Sequence, residues 1–264
     1  MTMAVEPTGL ARELKHWRIL RRVSQLDLAL RADTTQRHLS FLEQGRSRPG
    51  RAMVARLAES LELSLRERNR LLLAAGYAPV FPESGFDTAE LAPVRAALDT
   101  VLDGHLPYPA VVVRPYGVLL TANAAFAVIT EGVAPWLLEP PINVLRLALH
   151  PEGLAPRVVN LPEWGRHITE GLRVRAVRSP DPALDDLVAE LESYLPPAEL
   201  GSDHLGFAVP LRLRGPAGEL RLITTITSFT TAVDITLAEL HLEAFLPGDE
   251  QTARILRDRA HNRR

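Results

Sequence analysis

The chain lacks cysteine altogether and has a single lysine, Lys15. Without cysteine there are no disulfides, cysteine-ligated zinc sites, iron–sulfur clusters or thiol nucleophiles. A lone lysine outside any glycine-rich loop also excludes the phosphate-binding loop of nucleotide hydrolases. The motifs G-x-S-x-G, H-E-x-x-H and G-x-G-x-x-G are missing, and the eight histidines lack metal-ligand spacing. The sequence therefore predicts a protein that is not an enzyme and that needs no metal or cofactor.

Long apolar runs are missing as well. No segment approaches the roughly 18 apolar residues that span a bilayer. The longest, residues 71–82, is interrupted by Gly76 and Pro79. The first ten residues have neither the basic start nor the apolar segment of a secretory signal. We therefore expect a cytoplasmic protein without membrane contact.

The charge is divided unevenly along the 264 residues, a length that favours two domains. Residues 1–80 hold 14 Arg and Lys against 8 Asp and Glu, whereas the whole chain has a net charge of −2. The N-terminal third is thus basic and the remainder acidic. A basic third of this kind either meets a polyanion such as nucleic acid or is a solvated basic face, and charge alone does not separate the two.

Residues 10–75 have apolar side chains at three- and four-residue spacing, which predicts five short helices in a compact bundle. Ser24 and Ser64 are placed to cap the second and fifth helices. The third helix is expected to run to Glu43 and to end at Gly45. This pattern predicts an all-α N-terminal domain, residues 1–80.

A proline- and turn-rich stretch then predicts a linker at residues 81–92. The remainder, residues 93–264, predicts two strands, several helices and three more strands, which makes an α+β domain with a five-stranded antiparallel sheet. The predicted strands are residues 110–115, 117–122, 207–215, 219–229 and 236–246. The predicted helices are residues 91–102, 122–130, 143–149, 161–178 and 183–194, with a last helix from Asp249.

The segment Ser24–Pro49 predicts two short helices around a tight turn, with small Ala29 at their closest approach. The outer face of the second helix carries side chains that can donate, accept and make apolar contacts along a DNA groove: Thr35, Gln36, Arg37, Ser40 and Phe41. Such a face suits the reading of base edges, although a bundle of this kind can also bind protein alone.

Residues 10–75 resemble the helix-turn-helix domain of the xenobiotic-response-element family, which includes phage Cro and repressor proteins. The resemblance implies that Gln25 holds a phosphate and that Gln36 and Arg37 enter the major groove, where Phe41 meets a thymine methyl. It also implies that two arginines beyond the recognition helix, Arg46 and Arg48, lie against the sugar-phosphate backbone. Asp33 departs from the family, which often has glycine with positive φ at this turn.

The phrases TQRHLSFLEQGRSRP and LRERNRLLLAAGYAP resemble regulators of the MmyB type, and so do VLLTANAAF, NLPEWGRHI and LRLRGPAGEL further along. Such regulators join a helix-turn-helix domain to a PAS-like ligand-binding domain. The likeness implies an interior pocket for a small, lipophilic molecule. The candidate lining residues are Tyr116, Asn123, Trp136, Trp164, His167 and Phe207. Trp164 and Phe207 could instead be ordinary core, and Asn123 and His167 capping or surface groups.

Together these features predict a sequence-specific, nucleoid-associated transcriptional regulator that binds double-stranded DNA as a homodimer on a near-palindromic operator. A small lipophilic ligand in the second domain is expected to adjust its occupancy. Two alternatives stay open from the residues: a second domain that only dimerises or binds a protein partner, and an enzyme tethered to DNA.

Overall fold

The computed structural model describes residues 9–196, 209–229 and 232–262, and these fall into two compact units. The first comprises residues 9–85 together with 232–238, and the second comprises the remaining described residues from 86 onward. The predicted linker is thereby divided, because residues 81–85 belong to the first unit and residues 86–92 to the second. None of the described helices is long and apolar enough to cross a membrane.

The first unit contains the five predicted helices, which are α1 (Gly9–Leu20), α2 (Gln25–Arg31), α3 (Gln36–Glu43), α4 (Arg51–Ser60) and α5 (Leu65–Ala74). Its core is built from leucine at helical spacing, and Leu14, Leu28, Leu39, Leu42 and Leu57 are fully buried. The predicted caps are confirmed. The Ser24 hydroxyl accepts a hydrogen bond from the Asp27 amide, and Ser64 forms a reciprocal capping box with Glu67.

The end of the first unit is held by side-chain hydrogen bonds rather than by regular structure. The buried Asn69 accepts from the Val80 and Phe81 amides and donates to the Phe81 carbonyl oxygen at 2.7 Å. Further on, Asp234 accepts from the Ser84 amide at 3.1 Å. Residues 80–85, which proline content alone marks as a connection, are therefore packed against the helical bundle.

From residue 86 onward the chain forms an antiparallel five-stranded sheet with helices, as predicted. The strands are β1 (Ala110–Arg114), β2 (Val118–Ala122), β3 (Leu211–Gly215), β4 (Gly218–Ser228) and β5 (His241–Pro247), in the order β2-β1-β5-β4-β3. The helices of the second unit are α6 (Ala92–Asp103), α7 (Val144–Leu149), α8 (Leu161–Arg178), α9 (Pro182–Ser193) and α11 (Glu250–His261), while the short α10 (Ile235–Ala238) belongs to the first unit. The chain thus runs through two strands, helices and three strands, which is the order of a PAS-like domain.

Two segments differ from the sequence prediction. Residues 236–246, predicted as one strand, begin with the turn of helix α10, because the Asp234 carboxylate caps the Thr236 amide and leaves only His241–Pro247 for β5. Residues 122–130, predicted as a helix, form only the short 3-10 helix Ala124–Val128 after Asn123. Periodicity alone did not identify the Asp234 cap that starts α10.

Candidate functional site

The helix-turn-helix geometry of the first unit rests on α2, α3 and the turn between them. Thr35 caps α3 by accepting from the His38 amide at 3.1 Å, and the Thr34 amide donates to the Ala29 carbonyl oxygen at 2.9 Å. Asp33 has φ of +50°, the left-handed conformation that the family usually gives to glycine and that Asp tolerates better than most residues. The departure from the family therefore leaves the turn intact.

The outer face of α3 presents the residues predicted to read DNA. Gln36 and Arg37 are exposed, Thr35 before them is exposed, and Ser40 and Phe41 are half-buried. The Arg37 guanidinium carbon lies 5.5 Å from the centroid of the Phe41 ring, a cation–π contact that orients both side chains. One side of the helix thus carries the guanidinium of Arg37, the carboxamide of Gln36 and the aromatic ring of Phe41. This combination of groups can contact base edges.

Beyond α3 the chain makes a tight turn that displays two arginines. Gly45 has φ of +72°, and the Arg46 amide donates to the Phe41 carbonyl oxygen at 2.8 Å, closing the end of the helix. Arg46 and Arg48 are both exposed, and the Tyr77 hydroxyl fastens the loop by donating to the Pro49 carbonyl oxygen at 2.9 Å. The loop therefore presents both arginines to solvent next to the end of α3.

Gln25 is drawn into a buried ionic network. The Glu43 carboxylate accepts from the Arg18 guanidinium at 2.6 Å and 2.9 Å, and from the Gln25 amide nitrogen at 2.7 Å. Glu43 is 7% exposed, and its hydrogen bond raises the pKa of Arg18. Because a carboxamide nitrogen carries two N–H groups, the bond to Glu43 orients Gln25 and leaves a second donor for a phosphate.

The second unit encloses a cavity of about 430 Å³ on one face of its sheet. Strand register places alternate residues of neighbouring strands on that face: Glu243 pairs with Val111 of β1 and with Ile226 of β4. Helices α7 and α8 supply the opposite wall. The apolar lining includes Phe126, Leu147, Leu154, Trp164, Leu211 and Phe245. The exposed lining residues of α8, which are His167, Gly171 and Arg175, mark the rim.

Polar groups interrupt this apolar wall at a few points. The Tyr116 hydroxyl donates to Asp181, and burial together with that bond raises the pKa of Tyr116 to about 12. Burial, and then the nearby Arg175 guanidinium, lower the pKa of His241, which keeps its ring neutral at pH 7. Burial alone raises the pKa of Glu243. The cavity wall is therefore largely apolar with a few polar groups, which is the usual composition of a small-molecule site.

The structure brings together three of the six residues predicted as ligand contacts. Tyr116, Trp164 and His167 line the cavity. Asn123 does not, because its buried side chain joins β1 to the end of α6, donating to the Leu102 and Tyr108 carbonyl oxygens and accepting from the Ala110 amide. Trp136 does not either, since it is 50% exposed and donates to Glu152 at 2.9 Å. Phe207 lies outside the described residues.

Sequence reasoning missed the polar lining residues Arg114, Arg175, Thr224, His241 and Glu243. The alternation in β5, HLEAFLP, places His241, Glu243 and Phe245 on one face. Such a polar–apolar alternation is more often a solvated face than the wall of a cavity. The one feature of the sequence that indicated a cavity wall was Phe245, which lies on the same face of β5 as the two titratable residues.

The chain matches the family described as "MmyB-like transcription regulator ligand binding domain" over residues 94–258 and the family described as "Helix-turn-helix" over residues 14–68. No curated protein matches it. It is also similar to the solved structure of an RNA-binding light-oxygen-voltage receptor, at 12% identity over 95% of this chain and 61% of that chain, with a TM-score of 0.26. A likeness that weak supports no statement about fold or function.

The match to the ligand-binding family takes in more than half of the chain, and the helix-turn-helix match covers the bundle whose α3 face is described above. The protein therefore belongs to the MmyB-like transcription regulators and is a DNA-binding transcription regulator.

Proposed function

We propose that this regulator binds a specific operator through α3 and that a small lipophilic molecule in the cavity of the second unit changes its affinity for DNA. The observation that carries the proposal is the largely apolar cavity of about 430 Å³ inside the domain that matches a ligand-binding family. That volume lies in the range of small-molecule sites, roughly 300–1,000 Å³.

On DNA, Gln36 and Arg37 contact base edges in the major groove, and Phe41 supports Arg37 while it meets a thymine methyl. Thr35 and Ser40 add hydroxyl contacts. Arg46, Arg48 and the second N–H of Gln25 bind phosphates and set the register of α3 along the groove. The protein acts as a homodimer, so its operator is nearly palindromic, with half-sites one helical turn or a multiple of it apart.

A second domain that serves only for dimerisation or for a protein partner is the competing function. The cavity favours ligand binding over a purely structural role. Unfilled space inside a domain costs packing contacts, and a domain that only dimerises gains nothing that offsets this cost. An enzyme acting on a small molecule is less well supported, since the hydroxyl 3.2 Å from the lining residue His241 belongs to Ser228, which is not among the described lining residues.

Fluorescence anisotropy on an operator selected from random DNA tests the proposal, with and without an organic extract of host cells. Wild-type protein is expected to change its operator affinity with the extract. Gly171 lines the cavity and a Cβ there meets no atom within 4 Å, so we expect the indole ring of Gly171→Trp to be accommodated at the rim and to occupy part of the cavity. We expect that variant to bind the operator with the same affinity in the presence and in the absence of the extract.

Glu170→Trp is the matched control, one residue away on α8 and outside the cavity lining. It should respond like wild type. If wild-type protein binds the operator equally well with and without extract, or if Gly171→Trp responds as fully as Glu170→Trp, ligand control through this cavity is wrong and the second domain is a dimerisation or partner-binding module.

A further inference from the structure

The chain passes from the first unit to the second between Gly85 and Phe86, and again between Ala238 and Glu239. The segment before the first point has no regular structure, and the segment before the second is the single turn of α10. Because both points are covalent connections, a change of conformation in the second unit can act on the first through them.

The two segments that precede these points are hydrogen-bonded to each other within the first unit. The Asp234 carboxylate accepts from the Ser84 amide at 3.1 Å, and the Thr236 hydroxyl donates to the Ser84 carbonyl oxygen at 2.8 Å. The Ile235 amide donates to the Pro82 carbonyl oxygen at 2.9 Å. We call these five residues the clasp. Asp234 and Ile235 are buried, which limits competition from water for these bonds.

The clasp is also fastened to α5 of the helical bundle. The Asn69 side chain accepts from the Val80 and Phe81 amides, and Arg66 forms an ion pair with Glu83 at 2.6 Å. Helix α5 in turn shares its hydrophobic core with α3, the helix that presents the residues predicted to read DNA. A displacement of the clasp is therefore transmitted to the packing of the bundle.

The first connection leads to the cavity through Phe86. This residue is buried, and the guanidinium carbons of Arg95 and Arg114 each lie 5.9 Å from its ring centroid. Arg114 also lines the cavity, and its Nε is buried without a hydrogen-bond partner in the described part of the chain. A ligand that shifts Arg114 therefore also shifts its contact with Phe86, close in sequence to Ser84 of the clasp.

The second connection leads to the cavity along the backbone. Shortly after Ala238, β5 begins at His241, which lines the cavity together with Glu243 and Phe245 of the same strand. Leu240, between α10 and β5, is 1% exposed and is held by packing. A ligand that shifts the start of β5 therefore pulls on α10, which contains two residues of the clasp.

We propose that the clasp carries the ligand signal from the cavity to the helical bundle. This inference rests on the proposed function, because it names the route by which the ligand of the cavity changes the affinity for DNA. The route through Phe86 and the route through β5 both end at the clasp, and its hydrogen bonds make the two segments move together. Without these bonds the cavity still holds its ligand and α3 still binds DNA, but the two events are no longer linked.

Thr236→Val tests the inference in the full-length protein, because it keeps the shape of the side chain and removes the hydroxyl that donates to Ser84. Anisotropy on the selected operator is measured with and without the organic extract, and native mass spectrometry of the same samples detects the bound molecule. We expect the molecule to be bound as in wild type and the affinity without extract to lie within about twofold of wild type. The change in affinity with extract should be at least about threefold smaller than in wild type.

Asp234→Ala removes the acceptor for the Ser84 amide together with the cap of α10, and it should reduce the response further. Thr227→Val makes the same change as Thr236→Val at an exposed threonine of β4 outside the cavity lining, and it should respond like wild type. A thermal melt by circular dichroism checks that each variant is folded.

The inference is overturned if Thr236→Val responds to the extract as fully as Thr227→Val. It is also overturned if Thr236→Val loses the bound molecule, since the clasp would then support the cavity and not the coupling. These results leave the proposed function standing as long as wild-type protein responds. A wild-type protein whose operator affinity is the same with and without extract contradicts the proposed function, and the inference falls with it.

Discussion

The two units of this regulator differ in how they hold a glutamate: Glu43 of the first unit is buried and paired, and Glu243 of the second is half-buried at a cavity wall. Glu43 in the helical bundle accepts two hydrogen bonds from Arg18 and one from Gln25. Glu243 in the sheet faces a cavity and has no such partner in the described part of the chain. A buried charge that is fully paired holds a fold in one arrangement, whereas a half-buried carboxylate at a cavity wall stays accessible to whatever fills the cavity. The comparison sets the paired network of the helix-turn-helix unit against the cavity of the ligand-binding-family unit.

The largest expected effect comes from breaking the paired glutamate. Arg18→Met leaves Glu43 buried with only the Gln25 amide, and we expect the first unit to lose about 3 kcal/mol of stability. Native-state hydrogen exchange of α3 amides, read by mass spectrometry, measures this loss separately from the second unit. The double variant Arg18→Met/Glu43→Leu removes both charges and should recover much of the loss. A single variant as stable as wild type would show that the network contributes little.

The next effect concerns the two classes of arginine on the DNA-binding unit. Arg37→Ala should cost about 1–3 kcal/mol of operator binding and relax base preference at its contact, because it removes a base-reading fork. Arg48→Ala should weaken specific and random DNA alike and reduce the salt dependence of binding by about one phosphate contact. Anisotropy titrations over a salt series measure both. Equal losses of affinity for operator and random DNA in both variants would contradict the assignment of Arg37 to base contacts and Arg48 to phosphate contacts.

A smaller effect is expected at the unpaired glutamate. Burial raises the pKa of Glu243 above its ordinary 4.5, so the folded protein keeps a proton that the unfolded chain releases. Wild-type protein therefore loses stability as the pH rises from about 4.5 through the folded pKa, and Glu243→Gln does not. At pH 7 the variant should therefore be more stable than wild type, and the difference should shrink as the pH falls to about 4.

Urea unfolding of the two proteins across this pH range measures the difference. The other titratable residues of the cavity lining are present in both proteins and cancel: Arg114, Tyr116, His167, Arg175 and His241. A variant less stable than wild type at pH 7 would mean that Glu243 is paired within the protein, which would break the comparison with Glu43.

The smallest effect is expected at the turn between α2 and α3. Asp33→Gly removes the cost of a side chain at φ of +50° and also removes a carboxylate close to the DNA-binding face. We expect a change in stability of less than about 0.5 kcal/mol and DNA binding tighter by up to about threefold. Asp33→Ala, the control, keeps the strain and should lower stability by about 1 kcal/mol. Equal stability of the two variants would indicate that the turn carries no strain.

The helical bundle was predictable from the sequence because its determinants are local. Ser24, Thr35, Ser64 and Gly45 mark helix ends through their own side chains or backbone freedom, and leucine spacing identifies the buried faces. The order of the strands and helices in the second unit was predictable for the same reason. Both depend on residues within a few positions of each other.

The cavity was only partly predictable because its lining depends on which strands become neighbours. Asn123 has the chemistry of a ligand contact, yet its amide is consumed in joining β1 to α6. Glu243 has the appearance of a surface residue, yet the register of β5 between β1 and β4 turns it toward the cavity. The positions of both side chains depend on pairing between segments that are far apart in the sequence. Composition and periodicity do not predict that pairing.

Native mass spectrometry of the full-length protein after incubation with host-cell extract tests the central claim most directly, because it asks whether the cavity holds a small molecule. The account predicts one bound molecule on wild-type protein and on Glu170→Trp, and none on Gly171→Trp. An identical molecule on Gly171→Trp, or no bound molecule on any of the three proteins, would contradict it.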